Sequence, residues 1–478
     1  MIQKLLISHI LKPLGKQMDR CSEKAKEYIF VFFGALIFFL SFASNAGLLE
    51  STPYVFTFAA GCFCLGMMIL SMLRSDVQPI RFSPLLMILW LSVGILITIA
   101  SVRFNTDWLS DAIMYVAVCP VAFIVWGNVD HKKLFRLLIR SCIISFVIFF
   151  AICALFYPLG ARQYQGFFSN PNGTSGYLAV VFACLLIYAF QEHRHIWKQI
   201  AGLVLLGLCS GVLYYTNSRS GQLAAICTFA FTGILFVFQD KAGIKQRLFY
   251  RFLPVVLSLV IFIPGTLYIM QISNKSMNAV TGGVESLLNG NQANPTIPGE
   301  STVPGESTVP GESIPSEDDP MIDFDTINNS NKDRYNPLGK DFNTLTTGRA
   351  DIWKAFLEKT TPWGTGEKPS FYIESVNKTY SNPHMTPLLF AYQYGWICAV
   401  VYLLFNILSG VKSICFVRKN KFDSLALLPF AVTIIYGISF LLETVNTPFA
   451  HIITMFYFFV QTPLVKKLST RSCSKKGD

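Results

Sequence analysis

Residues 252–280 read FLPVVLSLVIFIPGTLYIMQISNKSMNAV. An apolar run, 252–270, gives way at Gln271 to a polar stretch that lasts to Pro383. A helix needs about 20 apolar residues to cross the bilayer core, and an extended polar segment cannot stay in hydrocarbon. The junction therefore marks a helix leaving a membrane and opening into a large loop. That loop holds 15 of the 28 acids but only nine of the 39 Lys and Arg. Chemistry on polar substrates is expected there and at the short loops that face it.

Working outward, apolar runs of span length recur roughly at 28–46, 54–73, 82–101, 110–127, 138–157, 174–191, 199–216 and 220–238 before this junction. After the loop they recur roughly at 386–409, 424–442 and 448–465. With 52% hydrophobic and 14% charged residues, the chain is too apolar for a soluble protein of its size. The expected fold is an all-α polytopic membrane protein of about 12 transmembrane helices, with one large loop between spans 9 and 10. The divisions are a basic tail 1–27, spans 28–270, the loop 271–385, spans 386–465 and a second basic tail 466–478. The small residues Ala43-Ser44-Asn45-Ala46 suit a cleavage site, but the preceding basic region is long and more spans follow, so an uncleaved first span is expected.

Positive charge orients the bundle. With the N-terminus inside and strict alternation, 27 of the 39 Lys and Arg fall on the inner side. The short outer loops carry Arg only: Arg103, Arg162 and Arg219. Both termini are then cytoplasmic and the large loop is outside. A net charge of +11 spread over helix ends argues against a nucleic-acid partner. Nine of the 12 Cys lie in apolar runs, where Cys behaves as a small hydrophobe. No Cys/His cluster has metal-site spacing, and no cofactor motif is present.

Within the loop, residues 297–315 read IPGESTVPGESTVPGESIP, a GESTVP repeat. Such a density of Pro, Gly, Ser and Glu forms no core, so a disordered acidic spacer is expected. Order is expected to resume near Tyr335. Residues 347–359 (TGRADIWKAFLEK) read as an amphipathic helix capped by Thr347 or Gly348, with Ile352, Trp353, Phe356 and Leu357 on its apolar face. Pro362 and Gly364 end it.

Several polar residues stand out at the outer side. Arg219, in TNSRSG between two spans, is costly at a membrane surface and so a functional candidate. The rival reading is a snorkelling side chain. Arg offers a planar fork that suits phosphate, which favours function. Arg349 opens the loop helix, where a helix N-terminus already attracts anions; taken alone, it reads better as a solvated surface Arg paired with Asp351 or Glu358. His384 sits where the loop re-enters the membrane and suits a general base near neutral pH, with only His451 able to join it from that side. Residues 160–174 (GARQYQGFFSNPNGT) form an outer loop whose Asn-Pro-Asn-Gly is turn chemistry first, with Arg162 and Asn172 as substrate-binding candidates beside Trp353 of the loop helix. Asn172-Gly173-Thr174 also matches a glycosylation acceptor.

Four stretches then converge. TNSRSGQLAAI, TGRADIWKAF…TPWGTG, NPHMTPLLFAYQYGW and GFFSNPNGTSGYLA resemble, in order, the (T)xSRgxll, tgR…iW…pl.G.G, HN…l…e.G and g.f.npN motifs of the O-antigen ligase/polymerase superfamily. The span number and the position of the large loop agree. The chain departs in carrying His384-Met385 where His-Asn is frequent, and in its Pro/Gly/Glu repeat. The resemblance implies a glycosyltransferase acting without metal or cofactor on the periplasmic face of a bacterial inner membrane. Its donor would be an undecaprenyl-diphosphate-linked glycan and its acceptor lipid A–core, in lipopolysaccharide biosynthesis. In a polymerase, the acceptor would be a second lipid-linked repeat unit. By the same resemblance, Arg219 and Arg349 bind the diphosphate and His384 is the essential loop histidine. A lipid-linked-oligosaccharide transporter is a third reading. It calls for charged or broken helices at the midplane and matched halves, and the sequence reads as having neither an intramembrane acid or Lys nor a repeat.

Overall fold

The computed structural model describes residues 2–45, 54–104, 106, 108–157, 163–168, 170–191, 195–238, 243–289, 349–367, 369–373, 378–420, 423–445, 449 and 451–467. The GESTVP repeat, Arg162, Tyr335 and the cap positions Thr347 and Gly348 lie outside these residues. Among the described residues, nine helices are long and apolar enough to cross a membrane. The fold is that of an all-α polytopic membrane protein.

After a helical segment over residues 2–18, the main helices in chain order are α1 (Glu23–Asn45), α2 (Tyr54–Ser71), α3 (Pro84–Phe104), α4 (Leu109–Trp126), α5 (His131–Phe156), α6 (Pro171–Phe190), α7 (Ile196–Tyr215) and α8 (Arg219–Val237). After them come α9 (Leu253–Asn289), α10 (Arg349–Lys359), α11 (Thr386–Tyr394), α12 (Trp396–Lys419), α13 (Leu428–Leu442), α14 (Ile452–Val460) and α15 (Thr462–Val465). A hairpin of β1 (Phe371–Ile373) and β2 (Lys378–Tyr380), with Phe371 opposite Tyr380, lies between α10 and α11. Starts follow local chemistry: Asp130 caps α5 by accepting from Lys132 N, and Asn170 caps α6 ahead of Pro171.

The bundle is organised around α6. Fifteen of its 20 residues are buried, so lipid sees little of it. It packs on α5, α7, α8, α13 and α14. Close approach uses small residues, as expected where lipid removes the hydrophobic drive between helices. Gly221 of α8 lies where a Cβ would sit 2.5 Å from Ser175 Cβ, which brings the first turn of α8 onto the first turn of α6.

Several expectations change. The apolar run 386–409 is not one span: α11 ends at Tyr394, Gly395 takes φ +96°, and the membrane-length helix begins at Trp396. The run 448–465 is α14 followed by α15, and all nine residues of α14 are buried. From Ile452 to Val465 such a helix rises about 21 Å, short of the ~30 Å hydrocarbon core, and it is sheltered by other helices instead of facing lipid. The polar run does not leave helix at Gln271, because α9 continues to Asn289. An intramembrane acid exists: Asp111, the third residue of α4, is buried and accepts a hydrogen bond from Tyr394 Oη at 3.3 Å. It sits at the end of its span, away from the midplane.

The loop helix α10 runs from Arg349 to Lys359 and ends before Pro362, while residues 347 and 348 of the expected stretch lie outside the described residues. Ile352 and Phe356 pack with Ile373, Leu388, Leu389 and Tyr392 in a small core separate from the bundle, with Trp353 against it. Leu357, expected on that face, is 59% exposed instead. Thus α10, the hairpin and α11 form a cap over one end of the bundle.

Candidate functional site

The cap and the bundle meet at Glu443, the residue that terminates α13. Its backbone is extended (φ −143°, ψ 167°), and its N–H still closes on Ser439 O at 2.8 Å. Thr386, the first residue of α11, fixes the chain there: its N–H and Oγ1 both donate to Glu443 O, at 3.1 and 2.9 Å. Val445 N donates to Thr386 Oγ1 at 2.9 Å. The carboxylate then receives three partners from three separate parts of the chain. Arg349 Nη2 donates to Oε1 at 3.1 Å, Ser220 Oγ donates to the same oxygen at 3.1 Å, and His384 Nδ1 faces Oε2 at 3.4 Å. Arg349 Nη1 donates in addition to Leu442 O.

His384 is held in an uncommon backbone state, φ +50°, which a non-glycine residue adopts at a cost. Two contacts enforce it. Asn382 Oδ1 accepts His384 N at 2.8 Å, while also accepting from Thr444 Oγ1, and Trp353 Nε1 donates to Pro383 O at 2.9 Å. The indole of Trp353, expected to bind substrate, thus braces the turn that presents His384.

From Ser220 a file of hydroxyls runs to the loop before α6. Ser218 Oγ lies 3.2 Å from Ser220 Oγ and donates to Asn172 Oδ1 at 2.9 Å. Ser175 Oγ lies 2.9 Å from Ser218 Oγ and 3.0 Å from Asn172 O, either of which can accept its one O–H. Asn172 is therefore a member of this network. The sequon it begins is folded away, with Thr174 fully buried and donating to Gln165 O at 2.6 Å. Arg219 is the first residue of α8, between two network serines, and is half-buried.

A cavity of about 130 Å³ opens among these residues, lined by Asn172, Ser220, Asn382, His384, Glu443 and His451. It has room for several waters. Arg219, Arg349 and Trp353 stand outside its lining. The structure thus brings Arg349, His384 and Asn172 into one network, adds His451 through the cavity, and places Arg219 on the turn beside it.

Burial pushes the Glu443 carboxyl up, but the hydrogen bond from His384 and the Arg349 charge outweigh it and hold the group below the usual carboxylate range. Glu443 is therefore an anion at neutral pH. An anion at Nδ1 favours the tautomer with the proton on that nitrogen and leaves Nε2 as the basic atom, the logic of a base oriented by a third group. Sequence reasoning passed over Glu443. Its signal is an acid at the mouth of a span, in LLETVNTPFAH.

No group of three or more His, Cys, Asp or Glu with metal-binding geometry occurs among the described residues. Compared with known families, residues 202–403 match a family model described as O-Antigen ligase. The matched stretch contains Ser218, Arg219, Ser220, Arg349, Trp353 and His384, and stops short of Asn172 and Glu443 on either side. No curated protein matches the chain.

Proposed function

We propose, for a chain that carries an O-antigen ligase family domain over residues 202–403, that it transfers a glycan from undecaprenyl diphosphate to lipid A–core at the end of the bundle where Glu443 stands. The family itself gives ligase- or polymerase-type function in a membrane protein. The ligase assignment, the donor, the acceptor and the periplasmic side, with both termini cytoplasmic, are the further reading. One observation carries it: a single ionised carboxylate holds Arg349, His384 and Ser220 together at the mouth of the bundle.

In this reading the acceptor hydroxyl gives its proton to His384 Nε2 while its oxygen attacks the anomeric carbon of the donor. The bond from that carbon to the diphosphate oxygen breaks, and the diphosphate leaves with the electron pair. His384 acts as general base. Glu443 stabilises the imidazolium as the proton arrives. Arg349 spends two of its five N–H groups on Glu443 and Leu442; the remainder, with Arg219, serve the diphosphate. Fixed cationic donors aimed at a leaving diphosphate lower the barrier without a proton or metal on that oxygen. Asn172 contributes to substrate binding by holding the serines in line, and Arg162 is a second substrate-binding candidate.

Reconstitution with a polyprenyl-diphosphate glycan and lipid A–core tests this. Arg349→Lys and Arg219→Lys are expected to lose transfer about a hundredfold with normal insertion, because Lys cannot reproduce a forked contact. His384→Ala should lose transfer yet still bind the donor. Near-full activity of the Lys variants would overturn the assignment. In a deletion strain, loss of all polymer from core with polymer retained on the carrier lipid supports a ligase. Core bearing one repeat unit means a polymerase.

A further inference from the structure

At the end of the bundle opposite Glu443, a groove of about 740 Å³ is lined by residues of α1 and α5, with Tyr188 and Gln191 from the end of α6 and Lys198 of α7. Asn172 and Gln191 sit at the two ends of the 20-residue α6, about 30 Å apart. The groove and the Glu443 cavity are therefore separate sites on opposite sides of the hydrocarbon.

Its walls repeat one pattern. On α1, Lys24, Tyr28 and Val31 fall at helical spacing on one face; on α5, Arg136, Arg140, Ile143 and Ile144 do the same. Both helices begin at this end, so both stripes run from cation to hydrocarbon in the same direction. Arg140 and Ile144 are one turn apart, about 6 Å along the axis. Tyr28, 74% exposed, sits at the transition, the position aromatic residues favour at a membrane interface. Among the lining residues, four cations (Lys24, Arg136, Arg140 and Lys198) face one carboxylate, Glu27. Glu27 is already paired with Lys133 from outside the groove at 3.2 Å, and lies 3.8 Å from Arg140. The site is thus strongly positive at its mouth and apolar within.

We propose that this groove binds an anionic glycerophospholipid, its phosphate among Arg136, Arg140, Lys24 and Lys198 and one acyl chain along Val31, Ile143 and Ile144. A soluble anion would use only the cationic mouth. The facing isoleucines, with Ile144 44% exposed, match a ligand carrying hydrocarbon directly below its charge. Bound there, the lipid bridges α1, α5 and α7.

Native mass spectrometry of the full chain, delipidated in detergent and given phosphatidylglycerol or phosphatidylcholine at equal amounts, tests the proposal. Wild type is expected to retain phosphatidylglycerol in preference. Arg136→Gln with Arg140→Gln should lower that retention about tenfold or more, to the phosphatidylcholine level. Lys198→Gln, on the third wall and clear of the α1–α5 contact, should lower it in the same direction if the paired variant proves unstable. Excess inorganic phosphate should leave the lipid in place. Equal retention of the two lipids by wild type, unchanged retention in both variants, or displacement by inorganic phosphate would each overturn the proposal, the last by making this a simple anion site.

Discussion

Replacing Glu443 by Gln keeps the side chain's shape and removes the charge shared by Arg349 and His384. Transfer is expected to fall about tenfold to a hundredfold, since a half-buried Arg loses its counter-ion and the base loses its anchor. A transfer assay on E443Q, normalised to inserted protein, checks this. The pH dependence has a definite sign. Because Glu443 titrates below its ordinary value of 4.5 in the folded chain, its stabilising contribution is complete above about that pH and is lost as pH falls through the lower folded value. Thermal unfolding followed on the acid side should show wild type and E443Q converging as pH drops. His384→Asn separates shape from chemistry: Asn tolerates φ +50°, so folding should hold while transfer is lost. His384 stood out in sequence as an imidazole where the loop re-enters the membrane, whereas Arg349, which alone reads as a surface Arg, stood out only through the family resemblance. Glu443 did not, because its meaning lies in partners 94, 59 and 223 positions away.

At the scale of elements, length and hydropathy located most spans to within a few residues, and the loop helix was legible from its apolar spacing. The break at Gly395 was not, because it depends on a second segment. Trp396 N donates to Thr361 O at 3.0 Å and Thr365 N to Tyr392 O at 2.9 Å, so TPWGTG docks backbone to backbone on the end of α11. A Cβ on Gly395 would lie 2.1 Å from Pro362 O, in a conformation with φ +96°. Gly395→Ala is expected to cost on the order of 2 kcal/mol and to loosen the cap from the bundle. Gly437→Ala in α13, with nothing within 4 Å of the added methyl, should be near neutral. Thermal unfolding of the two variants side by side makes the comparison.

For the whole molecule, charge bias proposes a sidedness that a chemical label tests. Cys introduced near Asn328 should react with a membrane-impermeant maleimide in cells with a permeable outer membrane, and labelling only after lysis would reverse the orientation. Composition announced a helical membrane protein, but the placing of α6 and α14 at its centre was hidden, since a run buried by protein and one buried by lipid are equally apolar. The network at Glu443 has a consequence for how the protein is made. Its members enter the growing chain in the order Asn172, Ser220, Arg349, His384 and Glu443. A nascent chain can insert α6 and α8, already joined through Ser175, Ser218 and Asn172, and even fold its loop helix, while nothing yet ties that loop helix and His384 to Ser220. The network closes only when the turn after α13 docks, so under the proposed function partly synthesised copies are expected to be inert toward glycolipids.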